Sequence, residues 1–161
     1  MELFARARRA VRHGGRVLDI GAGIRPQTVV RADESICVEP FGPYADRLEA
    51  MGCQVIRGTA IEALTEHPNV DTVVLLDVIE HMEKPEGMRV LRLAQRTARQ
   101  VVVFTPLGFI PQTGDAWGLG GERWQEHRSG WEPVEFKGWI ILEDGGFHAT
   151  RGGAFFAIWT R

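Results

Sequence analysis

The chain has 161 residues, of which 44% are hydrophobic, 19 are lysine or arginine and 21 are aspartate or glutamate. This length predicts one domain over residues 1–161, whose core buries roughly two-thirds of the surface that the unfolded chain exposes. The near balance of charge excludes the strongly basic composition of general nucleic-acid binders, so no nucleic-acid partner is expected.

Membrane and disulfide-rich classes are disfavoured as well. The sequence has no apolar run near the roughly 20 residues that cross a bilayer, and its beginning lacks the apolar core of a signal peptide. We therefore expect a cytoplasmic protein without stable membrane insertion. Cys37 and Cys53 lie in strand-like apolar contexts without C-x-x-C spacing, so reduced, buried thiols are expected and no metal site is predicted.

The chain begins with a predicted helix and a predicted strand. Residues 1–14 alternate apolar positions with arginines and end at Gly14-Gly15, which indicates a short amphipathic helix. Residues 16–23, Arg-Val-Leu-Asp-Ile-Gly-Ala-Gly, predict a buried strand and then a turn whose bare backbone lets a nucleotide approach. The dinucleotide pattern G-x-G-x-x-G needs a small residue where Pro26 stands, so the pattern is D-x-G-x-G instead.

The middle of the chain alternates between strand and helix, which predicts a parallel sheet with right-handed crossovers. The connection between Gly23 and the second strand is short and contains Pro26, so any helix there is expected to be short or irregular. Strand-like apolar runs lie near 36–39, 53–57, 70–76 and 100–105, and helix-like stretches lie near 43–51 and 85–98.

The last third is expected to contain a helix and a hairpin. The helix is predicted near 132–143. The hairpin is predicted from two apolar runs, 147–151 and 154–160, that flank Gly152-Gly153.

The segment 105–131 is too long and too rich in glycine and proline for an ordinary connection or a regular helix. Its tryptophans, Trp117, Trp124 and Trp131, argue against disorder because indoles bury considerable apolar area. We interpret the segment as an aromatic cover over an acceptor pocket. The alternative is that the indoles pack onto the core or form a homodimer interface.

Four motifs follow the predicted strands and indicate a nucleotide site. The first strand leads into D-x-G-x-G over residues 19–23, and the second ends at Glu39, whose carboxylate can accept hydrogen bonds from both ribose hydroxyls of an adenosine. Residues 58–62, Gly-Thr-Ala-Ile-Glu, follow the third strand. Residues 77–82, Asp-Val-Ile-Glu-His-Met, follow the fourth, at the edge where ligands bind in open α/β sheets.

In this order, the motifs resemble the class I S-adenosylmethionine-dependent methyltransferases, in particular their small-molecule and quinone-biosynthesis branch. The resemblance implies a Rossmann-like α/β fold with a doubly wound, seven-stranded, mostly parallel sheet and an antiparallel C-terminal hairpin, whose seventh strand lies between the fifth and the sixth. It also implies S-adenosyl-L-methionine as the cofactor. The residues that it assigns to cofactor binding are Asp19, Gly21, Gly23, Glu39, Pro40, Ala60, Ile61 and Asp77.

Several of these assignments have alternatives. The acid that often grasps the adenine amino group in this family is missing at Gly58, so backbone groups near Ala60 are expected to hold adenine, with Glu62 as a replacement. Asp77 can instead cap a helix, and Asp19 can brace the turn rather than contact the ligand.

The predicted reaction is O-methylation. Transfer of an activated methyl group mainly needs alignment, and a hydroxyl acceptor also needs a base. His81 and His127 are the candidate catalytic residues, and Glu80 and Asp115 are further candidates. A structural role remains the alternative for either histidine.

The predicted acceptor is a small molecule or a glycan. Indole faces beside polar residues suit a polyhydroxylated acceptor, and residues 23–27 and 105–109 resemble a bacterial subgroup associated with surface-glycan assembly. The alternatives are a non-catalytic S-adenosylmethionine-binding or scaffold protein and, less favoured because of Pro26, an NAD-dependent oxidoreductase.

Overall fold

One mixed sheet organises the chain, which the computed structural model describes over residues 2–67, 69–148 and 152–161. Strands β1 to β5 run parallel to one another, and β7 is antiparallel to both β5 and β6. The predicted doubly wound α/β fold is confirmed, with the seventh strand between the fifth and the sixth. The strands are β1 (Arg16–Ile20), β2 (Glu34–Val38), β3 (Gln54–Ile56), β4 (Thr72–Leu76), β5 (Gln100–Pro106), β6 (Ile140–Asp144) and β7 (Ala154–Thr160), in the spatial order β3-β2-β1-β4-β5-β7-β6.

Helices connect these strands. Three of them, α1, α2 and α4, confirm predicted helices, whereas α3 lies where no helix was predicted. None of the helices in the described ranges combines the length and apolar character that a membrane crossing requires. The helices are α1 (Glu2–Ala10), α2 (Gly42–Ala50), α3 (Ala60–Glu66), α4 (Lys84–Thr97) and α5 (Glu122–Gln125), with 3-10 turns at Ile79–His81 and Pro133–Glu135.

Both faces of the sheet are apolar. Alternate residues of a strand point to opposite faces, so Leu18 and Val101 belong to a cluster with residues of α3 and α4, whereas Val17 and Val102 belong to a cluster with Leu3 of α1. Each such buried aliphatic side chain contributes roughly 1.5–3 kcal/mol. Because neither face of the central strands meets water, these strands read as continuous apolar runs.

The sheet topology places a crevice between β1 and β4. The strand order reverses there, because β1 leads to β2 on one side while β4 and β5 continue on the other. Ligands bind at the carboxyl ends of the strands at such a point. The described residues 21–33 form turns without a helix, as expected for a short connection that contains Pro26.

The prediction of a helix near 132–143 is wrong. This segment holds the 3-10 turn at Pro133–Glu135 and then β6. The turn does not extend into a helix, because Gly138 has a φ of 81°, in the left-handed region that ends helices. The apolar residues Ile140 and Ile141 then pair with β7, as their β-branched side chains favour.

The prediction that the first strand of the hairpin spans 147–151 is wrong at its two described residues. Phe147 and His148 lie in a turn, and residues 149–151 lie outside the described residues. The partner of β7 is β6, which starts seven residues earlier than the predicted strand, at Ile140 instead of residue 147. The second predicted strand, 154–160, is confirmed as β7.

Candidate functional site

Two adjoining cavities open at the carboxyl ends of β1 and β4. Their volumes are about 310 Å³ and about 620 Å³. Gly21, Asp77, His81 and Gln125 line both of them. We call these four residues the junction, because a ligand in the smaller cavity can meet a ligand in the larger one there.

Glu39 is buried in the wall of the smaller cavity, with 4% of its surface exposed. Its Oε2 accepts a hydrogen bond from the amide of Gly23 and its Oε1 accepts one from the amide of Phe41, each at 2.9 Å. Burial raises the pKa of Glu39 to about 7, although these two hydrogen bonds lower it. Each oxygen retains a lone pair, so Glu39 can accept hydrogen bonds from two hydroxyls in the cavity.

The predicted adenine-binding region contributes backbone rather than an acid. Residues 58–60 and Pro40 line the smaller cavity, whereas Ile61 lies outside both cavities and packs against the core. Glu62 caps α3, because its Oε2 accepts hydrogen bonds at 2.7 Å from both the amide and the hydroxyl of Thr59. The carboxylate of Glu62 is therefore engaged at the helix end.

The turn after β1 requires glycine at two positions. Gly21 and Gly23 have φ values of 65° and 64°, in the left-handed region. A Cβ on Gly21 would lie 2.8 Å from Val78, and a Cβ on Gly23 would lie 2.5 Å from the indole of Trp117. The side chains of Val78 and Trp117 therefore lie directly against the backbone of this turn, in addition to any ligand that binds there.

Asp19 braces the same turn. It is 2% exposed, and its Oδ2 accepts a hydrogen bond from the amide of Gln27 at 2.7 Å. Burial raises the pKa of Asp19 to about 7, opposed by the hydrogen bond from Gln27 and assisted by the charge of Glu39. Asp19 also lines the larger cavity, so its bracing role does not remove it from the site.

Asp77 follows β4 and lines both cavities. Its φ of 54° lies in the left-handed region, which aspartate tolerates better than most residues. The surrounding protein desolvates the carboxyl and raises its pKa to about 6. The alternative role of Asp77 as a helix cap is not observed, since Val78 directly precedes the 3-10 turn and no side chain caps that turn.

Glu80 lies beneath the junction with 1% of its surface exposed. Its Oε2 accepts a hydrogen bond from the hydroxyl of Thr105 at 3.0 Å, and no donor among the described residues reaches its Oε1. Burial, and after it the charge of Asp77, raises the pKa of Glu80 well above its ordinary value. Two carboxyl groups are thus held close together in a poorly hydrated place.

His81 and His127 come together although 46 residues separate them, their ring centroids lying 4.9 Å apart. The Nδ1 of His81 lies 3.2 Å from the carbonyl of Glu126, and the Nδ1 of His127 lies 2.6 Å from the carbonyl of Ile110. A carbonyl only accepts, so each Nδ1 carries the proton and each neutral ring keeps the lone pair of Nε2. Burial and then the charge of His127 lower the pKa of His81 to about 4, and burial also lowers that of His127.

Asp115 holds the long loop rather than the junction. Its Oδ1 accepts a hydrogen bond from the amide of Trp117, and its Oδ2 accepts hydrogen bonds from the amides of Leu119 and Gly121. Desolvation opposes the ionised form, but these amides and the hydroxyl of Tyr44 lower the pKa of Asp115 to about 2. At neutral pH the carboxylate of Asp115 is ionised and stabilises the loop, and its low pKa makes it a weak base.

The segment 105–131 contributes its indoles to three different places. Trp117 lines the larger cavity and Trp124 lines the smaller one. Trp131 is fully buried in the core, where its Nε1 donates to Ser129 and the Nζ of Lys84 lies 3.7 Å from the ring centroid. The segment therefore covers both cavities through Trp117 and Trp124. Trp131 instead packs into the core, which is the alternative that the sequence left open for all three tryptophans.

Further residues line the smaller cavity besides the assigned ones. Val78 and Met82 line the smaller cavity beside Arg123 and Arg128, and Gln125 reaches the junction. Val78 and Met82 belong to the 77–82 motif, so the end of β4 places them at the cavity. Arg123 and Gln125 are among the polar residues that flank the indoles in the sequence, and their place in the cavity, like that of Arg128, depends on how the long loop folds back.

No family of proteins and no curated protein matches the sequence. Solved structures do match. The chain is similar to a SAM-dependent methyltransferase from Archaeoglobus fulgidus, with a TM-score of 0.66 and 16% identity over 99% of this chain and 93% of the other. It is similar to the N-terminal domain of EvdMO1 in the presence of SAH and D-fucose, with a TM-score of 0.68 and 14% identity over 99% of this chain and 83% of the other.

A third match is the small RNA methyltransferase HEN1, with a TM-score of 0.65 and 16% identity. It covers 99% of this chain, which spans only a quarter (25%) of the HEN1 chain. At these identities the similarity concerns the fold. The chain has the Rossmann-like fold of the class I methyltransferases.

Proposed function

We propose that this protein is an S-adenosyl-L-methionine-dependent methyltransferase that methylates an oxygen atom of a small-molecule or glycan acceptor. The observation that carries the proposal is the junction, where a cavity with Glu39 in its wall meets a cavity that holds His81 and His127. Such an arrangement brings a nucleoside-type donor and a second molecule to one point, and alignment is the main requirement of methyl transfer.

The smaller cavity fits the adenosine part of the donor. Glu39 offers two acceptor oxygens for ribose hydroxyls, and residues 58–60 offer backbone groups to a base. When bound, the donor supplies a methyl group on a positively charged sulfur. We assign its binding to Asp19, Gly21, Gly23, Glu39, Pro40, Ala60 and Asp77, and Ile61 supports it only through the core.

Charge favours this donor over a nicotinamide dinucleotide. Asp19, Glu39 and Asp77 all lie around the turn after β1 and the junction. A cationic sulfonium and amine are attracted by these carboxylates, whereas the pyrophosphate of NAD is repelled by them. Together with Pro26, the carboxylates disfavour the oxidoreductase alternative.

The larger cavity is proposed as the acceptor site. Trp117 and Ile110 offer apolar surface, and Gln112 and His127 offer hydrogen-bonding groups. The Nε2 lone pairs of the two histidines can accept the proton of an acceptor hydroxyl. His127 is the better base of the pair, since the pKa of His81 is lowered to about 4.

The neighbours support an oxygen acceptor without fixing its identity. EvdMO1 was crystallised with D-fucose, which favours a sugar, and another neighbour is a putative O-methyltransferase from Nostoc punctiforme. HEN1 methylates small RNA, so the absence of a nucleic-acid partner remains a prediction for this chain.

Two measurements test the proposal. Calorimetric titration with S-adenosylhomocysteine is expected to show binding, and NAD is expected to show none. Transfer of labelled methyl groups is then measured over sugars, quinones, small hydroxyl compounds and short RNAs. Tight NAD binding without S-adenosylhomocysteine binding contradicts the donor assignment, and donor binding without turnover of any acceptor supports the scaffold alternative.

A further inference from the structure

We propose that Glu80, His81 and His127 form a binding site for a divalent transition-metal ion at the junction. One ligand atom from each of the three residues lies within 4.8 Å of the other two. Metal–ligand distances of about 2.0–2.2 Å place the ligands of a tetrahedral site about 3.3–3.6 Å apart. Side-chain shifts of about 1 Å therefore bring the three groups around an ion.

Both imidazoles are prepared as ligands by their hydrogen bonds. The Nδ1 of His81 and the Nδ1 of His127 each donate to a backbone carbonyl, which leaves Nε2 as the free lone pair. A metal-bound histidine almost always makes this type of bond with its other nitrogen, because the bond fixes the tautomer and the ring orientation. Here each ring is held by a different part of the 105–131 segment.

The carboxyl of Glu80 provides an independent observation. It is 1% exposed, Thr105 occupies one oxygen, and no donor among the described residues reaches Oε1. The neighbouring carboxyl of Asp77 can pair with Glu80 only through a shared proton, and a cation takes the place of that proton. A buried acceptor without a donor is costly, and a cation bound to Oε1 removes this cost.

The donor set indicates the class of ion. Two imidazoles with one carboxylate suit first-row divalent transition metals better than an all-oxygen site for magnesium or calcium. Three protein ligands leave coordination positions open, as in catalytic metal sites. His81 and His127 both line the larger cavity, so an open position faces the proposed acceptor site.

The consequence for catalysis rests on the proposed function. An acceptor hydroxyl bound to the ion becomes more acidic, and its proton passes to water, so that neither histidine has to act as the base. This arrangement selects acceptors that offer an oxygen ligand to the metal. Binding of the ion itself does not depend on methyl transfer.

Metal binding is tested on the whole protein after chelation and dialysis. Titration with Co²⁺ alone is followed by visible absorption, and titration with Mn²⁺ alone by electron paramagnetic resonance. We expect one ion per chain. His127→Ala and Glu80→Gln are expected to weaken binding by about 100-fold or more, since loss of a ligand exceeds the 10–100-fold effect of losing a ligand's hydrogen-bond partner.

Two controls make the outcome decisive. His13→Ala removes an exposed histidine that pairs with Asp33, and it is expected to leave metal affinity unchanged. S-Adenosylhomocysteine binding by the metal-free variants reports both their folding and the donor site, because His127 lies outside the smaller cavity. Absence of Co²⁺ and Mn²⁺ binding, or equal affinity in the wild type and in folded His127→Ala and Glu80→Gln, overturns the metal site but leaves the donor assignment standing.

Discussion

Trp117 lies so close to Gly23 that a Cβ on the glycine would fall 2.5 Å from the indole. The same indole packs edge-on against Tyr44, with ring centroids 4.9 Å apart. The long loop is therefore docked directly on the turn that carries the D-x-G-x-G motif. The conformation of this turn and the position of the loop depend on each other.

Substitution of Gly23 by alanine tests this docking. We expect Gly23→Ala to lower the free energy of unfolding by more than the roughly 1–2 kcal/mol that a left-handed non-glycine residue costs, because Cβ also displaces Trp117. Gly118→Ala is the matched control, since Gly118 has a φ of 65° and no atom within 4 Å of its Cβ position. Urea unfolding followed by tryptophan fluorescence measures both, and equal losses contradict the docking.

A second prediction concerns Glu39. We expect Glu39→Gln to weaken S-adenosylhomocysteine binding, because each charge-assisted hydrogen bond to a ribose hydroxyl is worth about 1.5–3 kcal/mol. Glu62→Gln serves as the control, since that carboxylate caps α3 and is expected to leave the affinity unchanged. Calorimetric titration measures both variants. Unchanged affinity in Glu39→Gln removes this residue from the donor site.

The part of the candidate site at the strand ends could be predicted from the sequence, whereas the part formed by the long loop could not. Asp19, Glu39 and Asp77 each end or follow an apolar run, and parallel strands bring such ends to one edge. His127 was named as a candidate, but its contact with His81 arises only when the loop returns to the junction. Ile61 fails to reach a cavity because Thr59 caps α3, which begins at Ala60, and Ile61 in the first turn of this helix packs against the core.

The C-terminal error has an equally local cause. Pro133 and the capping box between Glu132 and Glu135 resemble a helix start, yet they produce a single 3-10 turn. Residues 140–144 form a strand because they pair with β7. The periodicity within 132–143 does not reveal this contact, since the partner lies in another segment. The central strands were easier to predict because burial on both faces makes them apolar throughout.

The stability of the protein is predicted to fall between about pH 4 and about pH 7. In the folded chain the pKa values of Asp19 and Glu39 are raised to about 7, from ordinary values of 3.8 and 4.5. Between these limits the raised carboxyl groups, Asp77 and Glu80 included, bind more protons in the folded state than in the unfolded state. His81 and His127 have lowered pKa values and act in the opposite sense, but the carboxyl groups outnumber them, so the free energy of unfolding decreases as pH rises. The stabilisation is complete below the ordinary values and is lost as pH passes the raised ones.

Urea unfolding at pH 5, 6, 7 and 8 measures this dependence. The double variant with Asp19→Asn and Glu39→Gln has lost these two titrating groups, so its profile is expected to be flatter than that of the wild type. A wild-type profile that rises over the same range would show that these carboxyl groups are not the dominant contribution.

The final prediction separates the charge of Asp77 from its backbone conformation. Asparagine tolerates the φ of 54° nearly as well as aspartate, whereas alanine adds a left-handed cost of roughly 1–2 kcal/mol. Asp77→Asn removes the charge next to Glu80 and keeps a side-chain oxygen that can accept a hydrogen bond from it. In urea unfolding of the metal-free protein we therefore expect Asp77→Asn to be more stable than Asp77→Ala, by roughly 1–2 kcal/mol from the left-handed conformation.

Donor binding by Asp77→Asn then distinguishes charge from shape. S-Adenosylmethionine carries the positive sulfur that its product S-adenosylhomocysteine lacks, so loss of a nearby carboxylate is expected to weaken binding of the donor more than that of the product. Calorimetric titration of the same variant with both ligands gives this ratio without reference to an acceptor. An equal loss for the two ligands places Asp77 away from the sulfur, and no loss for either places it outside the donor site.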